Sequence, residues 1–201
     1  MALANMQHMD SLQILAMAAA AVQRNDSLQY APAFTIRKPR SSDIPALAHV
    51  ERSAAEIFRT ANLDFLVDNP TVDPYLLIAI ANAGHLWIAV DKFDQPIGFA
   101  GGEYLDGNFH IVEVSVAKDF QGMGVGSALM EQMMSAIRWE GFKRISLTTF
   151  RDLPWNAPWY ARLGFFEVNA QEMGKTYEDI MEIEARNGLD IKNRCIMIKD
   201  L

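Results

Sequence analysis

The chain has 201 residues, half of them apolar and 21% charged, the balance of one globular domain with a full core and room for a small appendage. A formal net charge of −7 and a sequence pI near 5.1 argue against a general nucleic-acid binder, and a single cysteine, Cys195, excludes an internal disulfide. The longest apolar run, residues 75–90, is broken by Asn82, Gly84 and His85 and falls short of the ~20 residues of a membrane span, and no basic region opens the chain as in a secretory signal. A soluble, cytoplasmic protein without nucleic-acid or membrane partners is expected.

Residues 1–30 read as an N-terminal extension. Asp10 or Ser11 could cap a helix through Leu12, Leu15, Ala19 and Val22, to pack on the main body or on a second subunit of a homodimer, with disorder as the third alternative. The main domain is expected over residues 31–201. Residues 34–37 alternate like a strand, and Ser41 or Ser42 offers a cap for a helix carrying Pro45 in its first turn and Ile44, Leu47, Val50, Ala54 and Ile57 at helical spacing. A second helix begins at Asp73-Pro74 and stops at Gly84. Strands follow over 86–90, 97–104 and 109–116, the last two separated by the hairpin pair Asp106-Gly107.

A glycine-rich run, Gln121-Gly122-Met123-Gly124-Val125-Gly126-Ser127, then opens a helix bearing Leu129, Met133 and Ile137 and closed by Gly141. A strand over 145–150, a short helix over 155–163, a strand over 165–168, a charged helix over 176–187 and a last strand over 194–199 complete a mixed α/β pattern with helices on both faces of a sheet. Cys195 lies in an apolar run and Met130, Met133 and Met134 sit at core spacing, so none of them reads as a ligand. No His, Cys or Asp spacing suggests a metal.

Glycines at 122, 124 and 126 between a strand and a helix let the backbone approach a ligand, and the free N–H groups of the first turn with the helix dipole bind phosphate oxygens. The dinucleotide fingerprint fails, because the third glycine would fall at Ser127 or Leu129. No lysine follows the glycines as a P-loop requires. Taken alone, the run could also be a turn that only starts a helix.

Gln121-x-x-Gly124-x-Gly126 resembles the Arg/Gln-x-x-Gly-x-Gly/Ala signature of the GNAT N-acetyltransferase superfamily, and it follows a strand, Glu113-Val114-Ser115-Val116, as in that family. Asn156 and Tyr160-Ala161-Arg162-Leu163-Gly164-Phe165 resemble the second family motif, although Asn156 stands closer to Tyr160 than in many members. Thr148-Thr149-Phe150-Arg151-Asp152-Leu153-Pro154-Trp155-Asn156 is further similar to a bacterial branch of uncertain substrate.

The resemblance implies a central, mostly antiparallel twisted sheet of about seven strands whose fourth and fifth strands splay apart. It implies acetyl-CoA as cosubstrate, bound by the run Gln121, Gly122, Met123, Gly124, Val125, Gly126 and Ser127, by backbone groups of Val114 and Val116, and by Asn156, with no metal. It implies direct attack by a primary amine of a small molecule or peptide, with the Val114 N–H serving the thioester oxygen and Tyr160 protonating the thiolate. For the general base His110 and Glu113 both stand as candidates, with Glu103 behind them. Glu113 shares the strand face of His110 only if a bulge intervenes. Acceptor choice is implied for residues 58–73, which hold Arg59, Asp64, Phe65 and Asp68. A non-catalytic acyl-CoA-binding module and a protein N-terminal acetyltransferase are the alternatives.

Overall fold

The computed structural model describes residues 34–201, so the expected N-terminal helix and the boundary at residue 30 lie outside the described residues. Strand β1 (Thr35–Arg37) ends on a guanidinium that organises the next turn. Arg37 donates to both oxygens of Asp43, at 2.7 and 3.1 Å, and to Asp94 at 2.9 Å. Asp43 therefore precedes helix α1 (Ile44–Ala55), where Ser41 or Ser42 was expected, and its carboxylate accepts the Arg40 N–H at 2.6 Å in place of a helix N–H. A bidentate, charge-assisted pair outweighs a hydroxyl cap, and the guanidinium holds the Asp43 carboxyl well below the usual carboxylate range.

Helix α2 (Pro74–Asn82) starts as read from the sequence, with the Asp73 carboxylate accepting the Tyr75 N–H at 2.8 Å. Strands β2 (Leu86–Val90), β3 (Pro96–Leu105) and β4 (Asn108–Val116) follow within a residue of their expected ends. Asp106 and Gly107 both have positive φ, 46° and 83°, the conformation a two-residue hairpin turn needs. Helix α3 (Val125–Trp139) and strand β5 (Arg144–Phe150) come next. Helix α4 (Ala157–Arg162) is shorter than expected because Asn156, at φ −111° and ψ −117°, has left helical geometry. Strand β6 (Phe166–Val168) and an unexpected single-turn helix α5 (Ala170–Met173) precede helix α6 (Lys175–Arg186) and strand β7 (Arg194–Asp200).

The seven strands form one sheet in the order β1-β2-β3-β4-β5-β7-β6, antiparallel except for β4 against β5. Every residue of β2 is buried, as a strand covered on both faces requires. Helix α3 covers one face, packing Val125, Leu129, Met130, Met133 and Ile137 against Trp87, Phe109, Ile111, Ile145 and Leu147. Helices α1 and α2 cover the other with Ile44, Leu47, Val50, Leu77 and Ile80 against Leu86, Ile88 and Phe99. Met130 and Met133 are core, and Cys195 is buried among them, its thiol pushed up to about 11 by burial.

Two irregularities make the site. First, β4 pairs with β5 only at Phe109↔Ile145 and His110↔Ser146; beyond these the strands part, and β5 continues along β7. Second, β3 pairs Gly101 with Glu113 but Gly102 with Ile111, so Val112 is an extra residue in β4. Gly102 makes this bulge feasible: a Cβ there would lie 2.2 Å from the His110 carbonyl oxygen.

Candidate active site

The parting of β4 from β5 opens a cleft of about 850 Å³. At one end it meets the start of α3. Gly124 sits there as the N-cap with φ 83°, no side chain caps the first turn, and no acidic residue occupies it. A Cβ added at Gly122 or Gly124 would meet no atom of the described residues within 4 Å, so among them the space in front of these backbones is open. Gln121, Gly122, Gly124, Gly126 and Ser127 line the cleft, as do Val114 and Val116. Met123 is exposed and Val125 is buried in the core, so neither side chain lines it, and only their backbone groups are left to serve a ligand. The Gln121 amide braces the loop instead of facing a ligand, donating to the Val116 carbonyl at 3.0 Å and the Ala54 carbonyl at 3.3 Å.

Helix α4 forms the wall opposite β4. Tyr160 is 8% exposed and lines the cleft, with its ring against Trp159 and Phe165. Burial, reinforced by the negative charge of Glu113, lifts its phenol above the ordinary value. Asn156 donates to the Thr149 hydroxyl at 2.8 Å, while its Oδ1 is buried without a partner among the described residues, as is the Trp155 indole nitrogen. Both residues line the cleft, where such orphaned groups fit a polar ligand. Trp159 was not singled out in the sequence, yet its ring would touch a Cβ at Gly126 at 3.4 Å, so it walls the glycine loop.

The bulge at Val112 turns Glu113 toward the α1 face. The Ser115 hydroxyl donates to it at 2.8 Å, and burial holds its carboxyl above the usual range against the pull of Ser115, the Val114 N–H and Arg194. Facing it from α1 is Glu51, which the sequence reading missed. Burial first, then the charge of Glu113, pushes Glu51 up to about 7, although both its oxygens accept the Val72 N–H at 3.1 and 3.0 Å. Two carboxylates in one cleft cannot both ionise freely, so each raises the other's pKa.

A raised carboxyl pKa has a cost. Folding takes up a proton at Glu51 between its unfolded value of 4.5 and about 7, so stability falls as pH rises through that window. Glu51→Gln, which keeps an acceptor for Val72, removes this penalty. Its melting temperature relative to the parent is expected to climb between pH 5 and pH 8, worth about 1–2 kcal/mol at the upper end. A difference that stays level across that range would show Glu51 to be solvated.

His110 is 9% exposed and lies at the last position where β4 pairs with β5. Its Nδ1 meets the Ser146 hydroxyl at 3.0 Å, that hydroxyl meets the Tyr177 hydroxyl at 2.8 Å, and Asn108 donates to Tyr177 at 3.2 Å. Asn108 donates to the Tyr177 hydroxyl, which is left to donate to Ser146, and the Ser146 hydroxyl has both Nδ1 of His110 and the Phe109 carbonyl, at 3.4 Å, within its reach. Burial pushes His110 down to about 4, against the pull of Glu184. Glu103 is exposed on β3 and does not line the cleft.

Of residues 58–73, Phe58, Leu66, Asn69 and Pro70 line the cleft. Arg59 is held by Glu56 at 3.2 Å and Asp64 at 3.0 Å, Asp73 caps α2, and Asp68 is exposed away from the cleft. Among the described residues no group of three or more His, Cys, Asp or Glu is arranged to hold a metal, and no helix is long and apolar enough to cross a membrane.

The sequence model of the acetyltransferase (GNAT) family matches residues 54–165. Among solved structures, an acetyltransferase of the GNAT family from Staphylococcus aureus Mu50 is similar at a TM-score of 0.66 and 15% identity, over 84% of this chain and 99% of that one. Rv2747 of Mycobacterium tuberculosis, in complex with CoA, is similar at 0.61 and 18% identity, over 83% and 99%. The ribosomal-protein-S18-alanine N-acetyltransferase of Escherichia coli is similar at 0.58 and 17% identity, over 83% and 93%. At these identities the likeness to solved structures is one of fold.

Proposed function

The chain belongs to the acetyltransferase (GNAT) family, and from that premise we propose that it transfers the acetyl group of acetyl-CoA to a primary amine of a small molecule or peptide by direct attack. One observation carries this: a single cleft joins the uncapped glycine-rich start of α3 to Tyr160 on one wall and to Glu113 and Glu51 on the other. The open space before Gly122 and Gly124 and the orphaned Asn156 Oδ1 fit a phosphorylated, amide-bearing cosubstrate.

Acetyl-CoA supplies the activated thioester; the rest falls to the chain. A primary amine has a pKa near ~10, so freeing its lone pair at neutral pH costs roughly 4 kcal/mol. Glu113, ionised, takes that proton. The Val114 N–H serves the thioester oxygen as nitrogen bonds to the carbonyl carbon. Tyr160 donates its hydroxyl hydrogen toward sulfur as the carbon–sulfur bond breaks. His110, buried and with Nδ1 against Ser146, is a poor proton acceptor, which leaves that role to Glu113.

Two measurements test the proposal. Free CoA should appear when the protein is given acetyl-CoA and a panel of alkylamines, polyamines, aminoglycosides and peptides. In calorimetry Gly124→Glu should weaken acetyl-CoA binding on the order of 100-fold, because the side chain strains a positive φ and sets a negative charge where phosphate belongs. Unchanged affinity in a folded Gly124→Glu protein would remove the cosubstrate assignment. CoA binding with no release from any acceptor would favour a binding module.

A further inference from the structure

Two arginines line the cleft, Arg162 and Arg194, and only Arg194 is buried. Its Nε–Nη2 edge is already engaged, while Nη1 has no hydrogen-bond partner among the described residues. Nε and Nη2 donate to the two oxygens of Glu184 at 2.8 and 2.7 Å, and Nη2 also donates to the Thr148 hydroxyl at 3.2 Å. Thr148 in turn donates to Glu184 at 2.6 Å, and the guanidinium lies 4.7 Å from the centre of the Phe150 ring. Three elements, α6, β7 and β5, thus close a bidentate pair beneath the cleft.

Strand alternation fixes its side. Leu147 and Cys195 belong to the core under α3, so Thr148 and Arg194 point to the opposite face. That is the face of Glu51 and Glu113, whereas Gly126, Trp159 and Asn156 belong to the α3 side. If the cosubstrate enters from the glycine loop, the acceptor approaches past Glu51, Glu113 and the Glu184–Arg194 pair. A substrate carboxylate arriving there meets two carboxylates and a cation whose bidentate edge is taken.

Resting on the acetyl-transfer proposal, we infer that the Glu184–Arg194 pair sets acceptor class: it occupies the one edge of the guanidinium that could grip a carboxylate through Nε and Nη2 and offsets its charge, so that the enzyme takes amines with no carboxylate beside the reacting nitrogen and rejects free amino acids. Alkylamines, amino-acid amides and peptide N-termini qualify. A pair that only ties α6 to β7 would affect stability and leave acceptor choice alone.

The test compares kcat/KM for an amino acid and its amide, leucine and leucinamide, in the parent and in Glu184→Gln. Comparing the two ratios cancels the different basicities of the two amines. The parent should favour the amide by about 100-fold, and Glu184→Gln, which releases the guanidinium, should narrow that ratio by about tenfold. The double variant Glu184→Gln with Arg194→Gln should restore the preference, since no cation is left. If Glu184→Gln does not fold, Glu184→Asp, too short to hold both nitrogens, should narrow the ratio to a smaller degree. An unchanged ratio in a folded variant, or leucine used as well as leucinamide by the parent, overturns the inference and leaves acetyl transfer standing. No CoA release with any amine overturns both.

Discussion

Replacing Tyr160 by Phe is expected to lower kcat by about 10²–10⁴ while the affinity for acetyl-CoA stays level. The ring is buried between Trp159 and Phe165, so Phe keeps the packing and deletes only the hydroxyl. Burial and Glu113 hold the phenol protonated, ready to donate at any working pH. The same shift makes it a reluctant acid toward a thiolate of pKa near ~8.5, which places the expected loss toward the lower end. The loss should shrink with a thioester whose thiol is more acidic, because that thiolate needs less help to depart. Steady-state turnover, with calorimetry for the cosubstrate, makes the measurement. Parent-like turnover in a folded Tyr160→Phe protein would remove Tyr160 from the mechanism.

Glu113→Gln should lower kcat/KM by about 10²–10³ and abolish the level stretch of its pH profile. The base must be ionised to work, so activity climbs as Glu113 loses its proton. Its surroundings are Glu51 on α1, Ser115 and the Val114 N–H on β4, Arg194 on β7 and Tyr160 on α4. Because Glu113 takes its proton from the ammonium form of the acceptor, the parent should climb on logarithmic axes with a slope of about 1 below the carboxyl transition and then level off, whereas Glu113→Gln, which needs the free amine, should keep climbing with a slope of about 1 toward the amine pKa. Glu51→Gln removes the like charge, lowers the pKa of Glu113, and should move the levelling-off to lower pH. If the profile of Glu113→Gln overlays the parent's, the proton goes elsewhere.

What the sequence made legible was local in the chain. The strand–glycine–helix passage at 116–127 and the run from Asn156 to Phe165 declare themselves because backbone conformation and ligand approach restrict residue choice at those positions. The hairpin at Asp106-Gly107 is legible for the same reason. Glu51 was not legible, because a glutamate on an amphipathic helix ordinarily faces water; only the return of the chain at Val72 and the bulge at Val112 enclose it. The bulge itself left a trace in Gly101-Gly102, which could have been read as a place where a neighbouring strand comes too close for a Cβ. Asp43 displaced the serine caps because Arg37 reaches it from the preceding strand, a competition between partners that no cap preference contains. The Glu184–Arg194 pair looked like ordinary surface charge until α6 was laid against β7.

A sheet edge is normally a hazard, since its unpaired N–H and C=O groups invite strands from other molecules. This fold has such an edge in the middle of its sheet, along β4 beyond Ile111, where β5 has turned away. With α1 on one side and α4 on the other, the open ladder lies inside the cleft and not at the rim of the sheet. A ligand that carries its own amide groups could complete it, so the backbone hydrogen bonding that is a liability at a rim becomes, here, a means of holding one.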